Sequence, residues 1–587
     1  MSPIKRLLPL SALVLPLLSV SASSASELTN KTTSPIVAKQ AIFSHQATAQ
    51  PIWAANGMVA SQEAVATAVG VDILKQGGNA IDAAVATGFA LAVTLPRAGN
   101  IGGGGFMLLH LPQQQLSTAI DYRETAPASA KADIFLDPQG NVIPERSTYH
   151  GLAVGVPGTV AGFTLALEKY GTMTLAQVLA PAIKLAEQGI TVTPDLAASL
   201  AALQPRLSQW PSTKAVFYHP NGSHYQPGDI LRQPELAAAL KRIATQGNKG
   251  FYQGKTAQDI VRAVNQAGGI MTHADLQNYR AVERQPISGS YRGHKVISMP
   301  PPSSGGVHII QMLNILEHFP LTQLGHNSAD SIHLQTEAMK LAYADRSRYL
   351  GDPDFYPVPT AKLTDKAYGL ALSGQIDAKR TKDSRQITPG KLLQESPQTT
   401  HYSVVDKWGN AVANTYTLNY SYGSGLVAAG SGILLNNEMD DFSAKPGVPN
   451  GFGLIGGEAN AVAGNKRPLS SMSPTIVLKD NQPWLVTGSP GGSRIITTTL
   501  QILLNTIDYG LNIAEATQAP RVHHQWLPDE LRVERSLNPD TIKLLQQKGH
   551  KVVIKNAMGS TQSIMITPSG LYGASDPRRS GSATAGY

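Results

Sequence analysis

Apolar residues recur at helical spacing over 61–75 and again over 80–94, and Gly77-Gly78-Asn79 between the two stretches offers a stop followed by a cap. The pair predicts a helical hairpin. Stretches of the same period run over 175–188, 307–318 and 328–350, the last opening on Ser328-Ala329-Asp330 as a cap. Helix therefore dominates the first two thirds of the chain. The pattern changes after Asp383: residues 385–398 contain Pro389, Gly390 and Pro397 but few large apolar side chains, the mark of an exposed connector. Beyond it the period becomes two. Residues 400–405 and 411–417 alternate or are β-branched, and Asp406-Lys407-Trp408-Gly409-Asn410 joins them, which predicts a β-hairpin. Strands are also expected at 474–479, 484–487 and 562–566, with a helix at 495–507. No internal repeat or low-complexity tract interrupts this order.

The amino-terminal stretch follows a different logic. Lys5 and Arg6 precede an apolar run over 7–20, and Ser23-Ser24-Ala25 supplies the small residues that a signal peptidase reads. A membrane anchor needs about 20 apolar residues. This run is shorter and is broken by Pro9 and Pro16, so residues 1–25 read as a cleavable signal peptide and the mature chain as periplasmic or secreted, with no stable membrane anchor. Residues 26–50, polar and rich in Ser, Thr and Ala, are a poorly ordered lead-in, and order is expected from about Pro51.

Composition narrows the chemistry. With 587 residues, 42% of them hydrophobic and 15% charged, the chain can bury a large core in one or two domains. The 48 basic and 40 acidic residues give +8, spread without a long basic run, so nucleic acid is not an expected partner. There is no cysteine, which excludes disulfides, thiolate nucleophiles, iron–sulfur clusters and sulfur-bound zinc. Any covalent catalyst must use oxygen or nitrogen. No cofactor motif is present, and His523-His524 offers no shared metal site because neighbours on a strand point to opposite faces; packing or solvation is their expected role.

Three places could carry chemistry. The connector ends at Gln398, and Thr399 opens the strand that follows. Cleavage between them would give one residue both a hydroxyl nucleophile and an α-amine with a pKa of about 8 to act as its base. Read alone, a threonine at a strand start is ordinary β-propensity. The second place is Gly488-Ser489-Pro490-Gly491-Gly492-Ser493-Arg494, between a strand and a helix, where backbone amides can converge on negative charge as an oxyanion hole. Neither the phosphate-loop nor the dinucleotide spacing is met there. A second glycine cluster, 102–105, reads as a close-packed turn before the apolar run 106–111. The third place is a set suited to a small zwitterion: Arg123 for a carboxylate, Ser470 and Ser471 as neutral donors, Glu438 and Asp441 as acceptors for an ammonium. Each of these alone reads more readily as a surface ion pair or turn residue.

Taken together the segments resemble γ-glutamyltranspeptidase, a secreted, self-processing N-terminal-nucleophile hydrolase. The likeness runs from about Gly57 to Tyr587 through Gly77-Gly-Asn-Ala-Ile-Asp-Ala-Ala84, Met299-Pro-Pro-Pro-Ser-Ser-Gly-Gly306, Tyr343-Ala-Asp-Arg346, Thr399-Thr-His-Tyr-Ser403 and Asn436-Asn-Glu-Met-Asp-Asp-Phe442. The resemblance implies an α/β fold, a four-layer αββα sandwich of two stacked antiparallel sheets covered by helices, and no cofactor. It implies that Thr399 attacks the Gln398 carbonyl, dividing the chain into a large subunit, 26–398, and a small one, 399–587, which stay together as one intertwined catalytic domain. The same hydroxyl then takes a γ-glutamyl group from glutathione or another γ-glutamyl amide, and water or an amino acid or dipeptide amine resolves the acyl-enzyme. Thr417 would bond to the nucleophile and Gly491 and Gly492 would hold the oxyanion, such donors contributing about 3 to 4 kcal/mol each. Arg123, Ser470 and Ser471 would hold the substrate's α-carboxylate; Asn419, Glu438 and Asp441 its α-amino group. The stretch from Pro446 to Gly457 resembles the family's lid loop, with Phe452 where relatives carry a tyrosine that latches the lid to the asparagine matching Asn419. A lid without that latch admits water and bulky acceptors more easily.

Two other readings remain. An acylase of the same fold would cleave glutaryl or other dicarboxylic side chains, but its substrate lacks the ammonium that Glu438 and Asp441 would meet. An inactive secreted binding protein would stay as one uncut band on a denaturing gel.

Overall fold

A computed structural model of the chain describes residues 47–387, 399–445, 447–448, 454 and 456–587. The expected signal peptide, most of the lead-in and residues 388–398 of the connector lie outside the described residues. The compact body is Ala49–Tyr587, and its first strand opens at Ile52.

Two seven-stranded sheets, antiparallel throughout, stack face to face. One has the order Ile52–Ala54, Gly570–Ser575, Gln562–Thr567, Gln482–Thr487, Thr475–Lys479, His294–Ser298, Ile287–Tyr291. The other runs Ala583–Gly586, Met58–Ser61, Thr400–Val405, Ala411–Thr417, Gly104–Leu111, Leu116–Tyr122, Val282–Arg284. Between them lies an apolar layer that includes Met58, Phe106, Leu108, Val405, Ile476 and Ile564. Helices Ala64–Lys75, Ala80–Thr94 and Thr159–Tyr170 cover the outer face of the second sheet, while Gly305–Leu316, Ala329–Tyr349 and Arg494–Ile507 cover the first. The result is an αββα sandwich, with strands buried on both faces.

Double-sided burial explains the main difference from the expected elements. Residues 106–109 form an unbroken apolar run, which carries no period, yet they belong to a strand in which Phe106 and Leu108 enter the layer between the sheets and Met107 and Leu109 the helical layer. The hairpin at 400–405 and 411–417 and the helices at 80–94 and 175–188 take the expected bounds. The first helix starts later than its pattern. Ser61 pairs with Ala583 in the sheet, so Glu63 becomes the cap, accepting from the Val65 and Ala66 amides at 3.0 and 2.9 Å. Among the described residues no helix is long and apolar enough to cross a membrane.

Candidate active site

The hairpin sets the position of Thr399, the candidate nucleophile. Thr400 pairs with Tyr416, so the same register brings Thr417 opposite Thr399 at the open end of the hairpin. This is why two threonines 18 positions apart meet. Thr417 Oγ1 accepts from the Asn419 amide at 2.8 Å, which fixes its orientation. Asn419 has φ +76°, an uncommon conformation for a side-chain-bearing residue, and its Nδ2 donates to the Asn437 carbonyl at 2.9 Å. That bond ties the end of the hairpin to the turn carrying Glu438 and Asp441. The glycines at 102–105 act as the bland reading expected: a Cβ on Gly103 would lie 2.1 Å from the Thr417 carbonyl oxygen, so only glycine lets the strands close here.

The glycine-rich loop faces the same point from the other sheet. It follows Gln482–Thr487 and leads into Arg494–Ile507, with Gly491 at φ +138° and Gly492 at φ +58°, a path open to glycine and strained for other residues. His401, two residues beyond Thr399, packs on this loop: a Cβ on Gly488 would fall 2.4 Å from its ring. Buried and bonded to Thr415 Oγ1 at 2.8 Å, His401 is pushed down to a pKa of about 3 by burial and is neutral at working pH. It joins the strand that begins beside Thr399 to the loop as packing, not as a base.

Thr399, Thr417, Gly492, Asn419, Arg123, Glu438, Asp441, Ser470 and Ser471 line one narrow cleft. Gly491 sits one residue behind that lining. The cleft also takes in Arg346, Leu454, Met472, Ser493 and Ile495, none of which the sequence had singled out for this role. Gln398 and Phe452 lie outside the described residues.

The charged groups do not sit as separate carboxylate and ammonium subsites. Arg123 is fully buried and pairs with Glu438 through Nη1 and with Asp441 through Nη2, while Glu124 stands 3.6 Å away. Burial alone would lower the Arg123 pKa, but the surrounding Glu438, Asp441 and Glu124 raise it. Burial pushes the carboxyls the other way: Glu438 rises well above its usual value, Asp441 rises, and Glu124 reaches about 7, each held back by Arg123. Three carboxyls thus stand near Arg123, burial favours their protonated forms, and a second guanidinium, Arg346, lines the same cleft.

The remaining sequence candidates sit elsewhere. His523 bonds Thr497 Oγ1 at 2.8 Å and Gln525 at 3.0 Å, and His524 faces Asp529 at 3.2 Å; both are buried, so they pack and are not solvated. Among the described residues one group has metal-type ligands in reach, His333, Glu337 and His550, whose ligand atoms lie within 4.8 Å of one another. Lys340 stands 3.0 Å from Glu337 and already supplies positive charge there.

The sequence profile described as gamma-glutamyltranspeptidase matches residues 66–586. The chain is 61% identical over 540 residues to the glutathione hydrolase proenzyme of Escherichia coli (strain K12), covering 92% of this chain and 93% of that one. To the glutathione hydrolase proenzyme of Bacillus subtilis (strain 168) it is 42% identical, covering 90% and 91%. The structure of a cephalosporin acylase from Bacillus halodurans superposes with a TM-score of 0.81 at 30% identity, covering 93% of this chain and 98% of that one. The γ-glutamyltranspeptidase of Helicobacter pylori gives 0.56 at 46%, covering 59% and 97%. A matched profile over most of the chain, relatives at this identity and a shared sandwich leave one assignment: the chain belongs to the γ-glutamyltranspeptidase family.

Proposed function

We propose that the chain is a self-processing γ-glutamyltransferase and glutathione hydrolase. One observation carries the reading: the residue that follows the connector shares a cleft with a second threonine, a glycine loop at a helix N-terminus, and a buried set of charges matched to an amino acid head. The Thr399 hydroxyl first attacks the Gln398 carbonyl; the amide nitrogen leaves as the amine of Thr399, and water hydrolyses the ester. The chain becomes residues 26–398 and 399–587. In turnover the freed amine takes the hydroxyl proton as Oγ1 attacks the γ-carbonyl of glutathione. The Gly491 and Gly492 amides receive the oxyanion and the leaving amine takes the proton. Water or an acceptor amine then releases the γ-glutamyl group. Glu438, Asp441 and Asn419 receive the α-ammonium, and the substrate carboxylate takes their place on Arg123, with Ser470 and Ser471 donating beside it. The 1–25 segment directs this chemistry to the periplasm or beyond.

An acyl group without an ammonium would leave Arg123 held by its two carboxylates and forfeit that carboxylate contact, which favours γ-glutamyl substrates over glutaryl ones. Mass spectrometry of the purified protein, with glutamate release from glutathione, tests the reading. The expected result is a new terminus at Thr399 and activity that Thr399→Ala abolishes together with cleavage. A Thr399→Ala protein that still divides and still releases glutamate overturns it.

A further inference from the structure

Beneath the serine pair lies a charge that the mechanism has not used. Arg346, at the end of Ala329–Tyr349, is 5% exposed and lines the cleft. Its Nε donates to Ser304 Oγ at 2.9 Å and its Nη2 to Ser471 Oγ at 3.2 Å. Ser304 in turn gives both its amide and its hydroxyl to the Ser470 carbonyl, each at 2.8 Å. The 299–306 segment thereby becomes a platform: Ser470 N bonds back to Pro302 O at 2.9 Å, and Arg346 holds Ser471 directly and Ser470 only through Ser304.

The platform fixes which way the hydroxyls act. The Ser471 oxygen already accepts from Arg346, and the Ser470 oxygen accepts from the Met472 amide at 3.1 Å. With an acceptor lone pair on each occupied by a donor, the O–H groups are left to donate, as an anion requires. Arg346 differs from Arg123 in its neighbours. Among the described residues no carboxylate lies within ion-pair distance of it, and burial lowers its pKa to about 10, which keeps it charged. Asp441 is the carboxylate whose charge reaches Arg346, from beyond ion-pair distance, and a buried cation so weakly offset, beside two hydroxyls free to donate, suits an anion.

We infer that Arg346 is a positioning residue for the substrate's α-carboxylate, holding Ser471 directly and Ser470 through Ser304, and adding positive charge beside Arg123. The inference rests on the γ-glutamyl reading for the substrate: Arg123 receives the carboxylate as Glu438 and Asp441 turn to the ammonium, and Arg346 holds the serines that donate beside it.

The test compares a γ-glutamyl amide bearing a free α-carboxylate with its α-carboxamide analogue on wild type, Arg346→Gln and Arg346→Lys, with two bands on a denaturing gel as the folding control. For Arg346→Gln, KM for the carboxylate substrate should rise about 30-fold with kcat within about threefold, while KM for the analogue moves less than about threefold. Arg346→Lys keeps the charge but not the two-pronged hold on the serines, so its KM should fall between. Equal losses on both substrates, or a fall in kcat at unchanged KM, would overturn the inference. If Arg346→Gln does not process, Arg346→Lys alone decides by the same ratio of the two substrates. Calorimetric binding of L-glutamate and its α-amide to the same proteins separates the two claims. Wild type that binds glutamate in preference to the amide but turns nothing over would refute the proposed function while leaving the Arg346 arm readable.

Discussion

One helix, Ala329–Tyr349, serves two buried polar clusters, and they differ in how completely they are satisfied. At its amino-terminal half His333, Glu337 and Lys340 form a closed network. Lys340 donates to Thr381 Oγ1 at 2.5 Å, to the Lys382 carbonyl at 2.8 Å and to Glu337, whose second oxygen accepts from the Lys382 amide at 3.2 Å. His333 places one ring nitrogen on the Asp377 carbonyl at 2.7 Å and the other on His550 at 2.8 Å. At its carboxy-terminal end Arg346 hydrogen-bonds only to hydroxyls, and behind Arg123, 3.6 Å from it, Glu124 is fully buried although neither carboxylate oxygen accepts a hydrogen bond from another described residue. Burial costs the same in both places. A network that closes on itself stabilises the fold, whereas one left open toward a cavity holds its cost in readiness for a ligand.

Breaking the closed network should therefore have the largest effect, and on stability alone. Lys340→Met leaves Glu337 buried without its cation and should cost about 3 to 5 kcal/mol. Denaturant unfolding in a Thr399→Ala background, where the chain stays in one piece, gives the value. The double change Lys340→Met with Glu337→Gln should recover more than half. Processed Lys340→Met enzyme should keep its kcat; a loss of kcat with the midpoint unmoved would dissolve the distinction between the two clusters.

In the open network the same kind of change should strike activity. On the proposed function Asp441→Asn should remove a charge-assisted contact with the substrate ammonium and lower kcat/KM about 100-fold. Stability should hardly move, because Glu438 still pairs Arg123. Steady-state kinetics beside a thermal melt makes the check, and a melt that falls while kcat/KM stays within about threefold would place Asp441 with the structural groups.

The resemblance carried the αββα sandwich, and the residues it named come together in one cleft. Thr399 and Gly492 were legible as candidates because each belongs to a local feature, a strand start after a connector or a glycine loop before a helix, whereas Thr417 was named only through the resemblance. The strand Gly104–Leu111 was hidden because both its faces are buried and its apolar run has no period. Arg346 was hidden for another reason. An arginine in the last turn of a helix is usually a solvated complement to the helix dipole. Only the approach of Ser304 and Ser471, from segments more than 40 and 120 residues away, turns it toward a cleft. The pairing of Arg123 with the groups expected to bind ammonium was likewise beyond any spacing rule, since 315 residues separate Arg123 from Glu438.

The smallest effect, and the sharpest on the open cluster, concerns Glu124. Burial raises its carboxyl from 4.5 to about 7. The folded chain therefore keeps a proton that the unfolded chain releases between those values, and by linkage stability falls as pH rises through that window. The contribution is complete below about pH 4.5 and gone above about pH 7. Glu124→Gln stays neutral throughout, so the stability of the variant relative to the parent, both carrying Thr399→Ala, should grow by about 2 kcal/mol between pH 4.5 and 7.5. Taking the difference between the two proteins cancels the titration of Glu438 and Asp441 to first order. A gap that stays constant across the range would mean that Glu124 is ionised throughout and compensated by Arg123. The cleft would then be closed in the same sense as the Lys340 cluster.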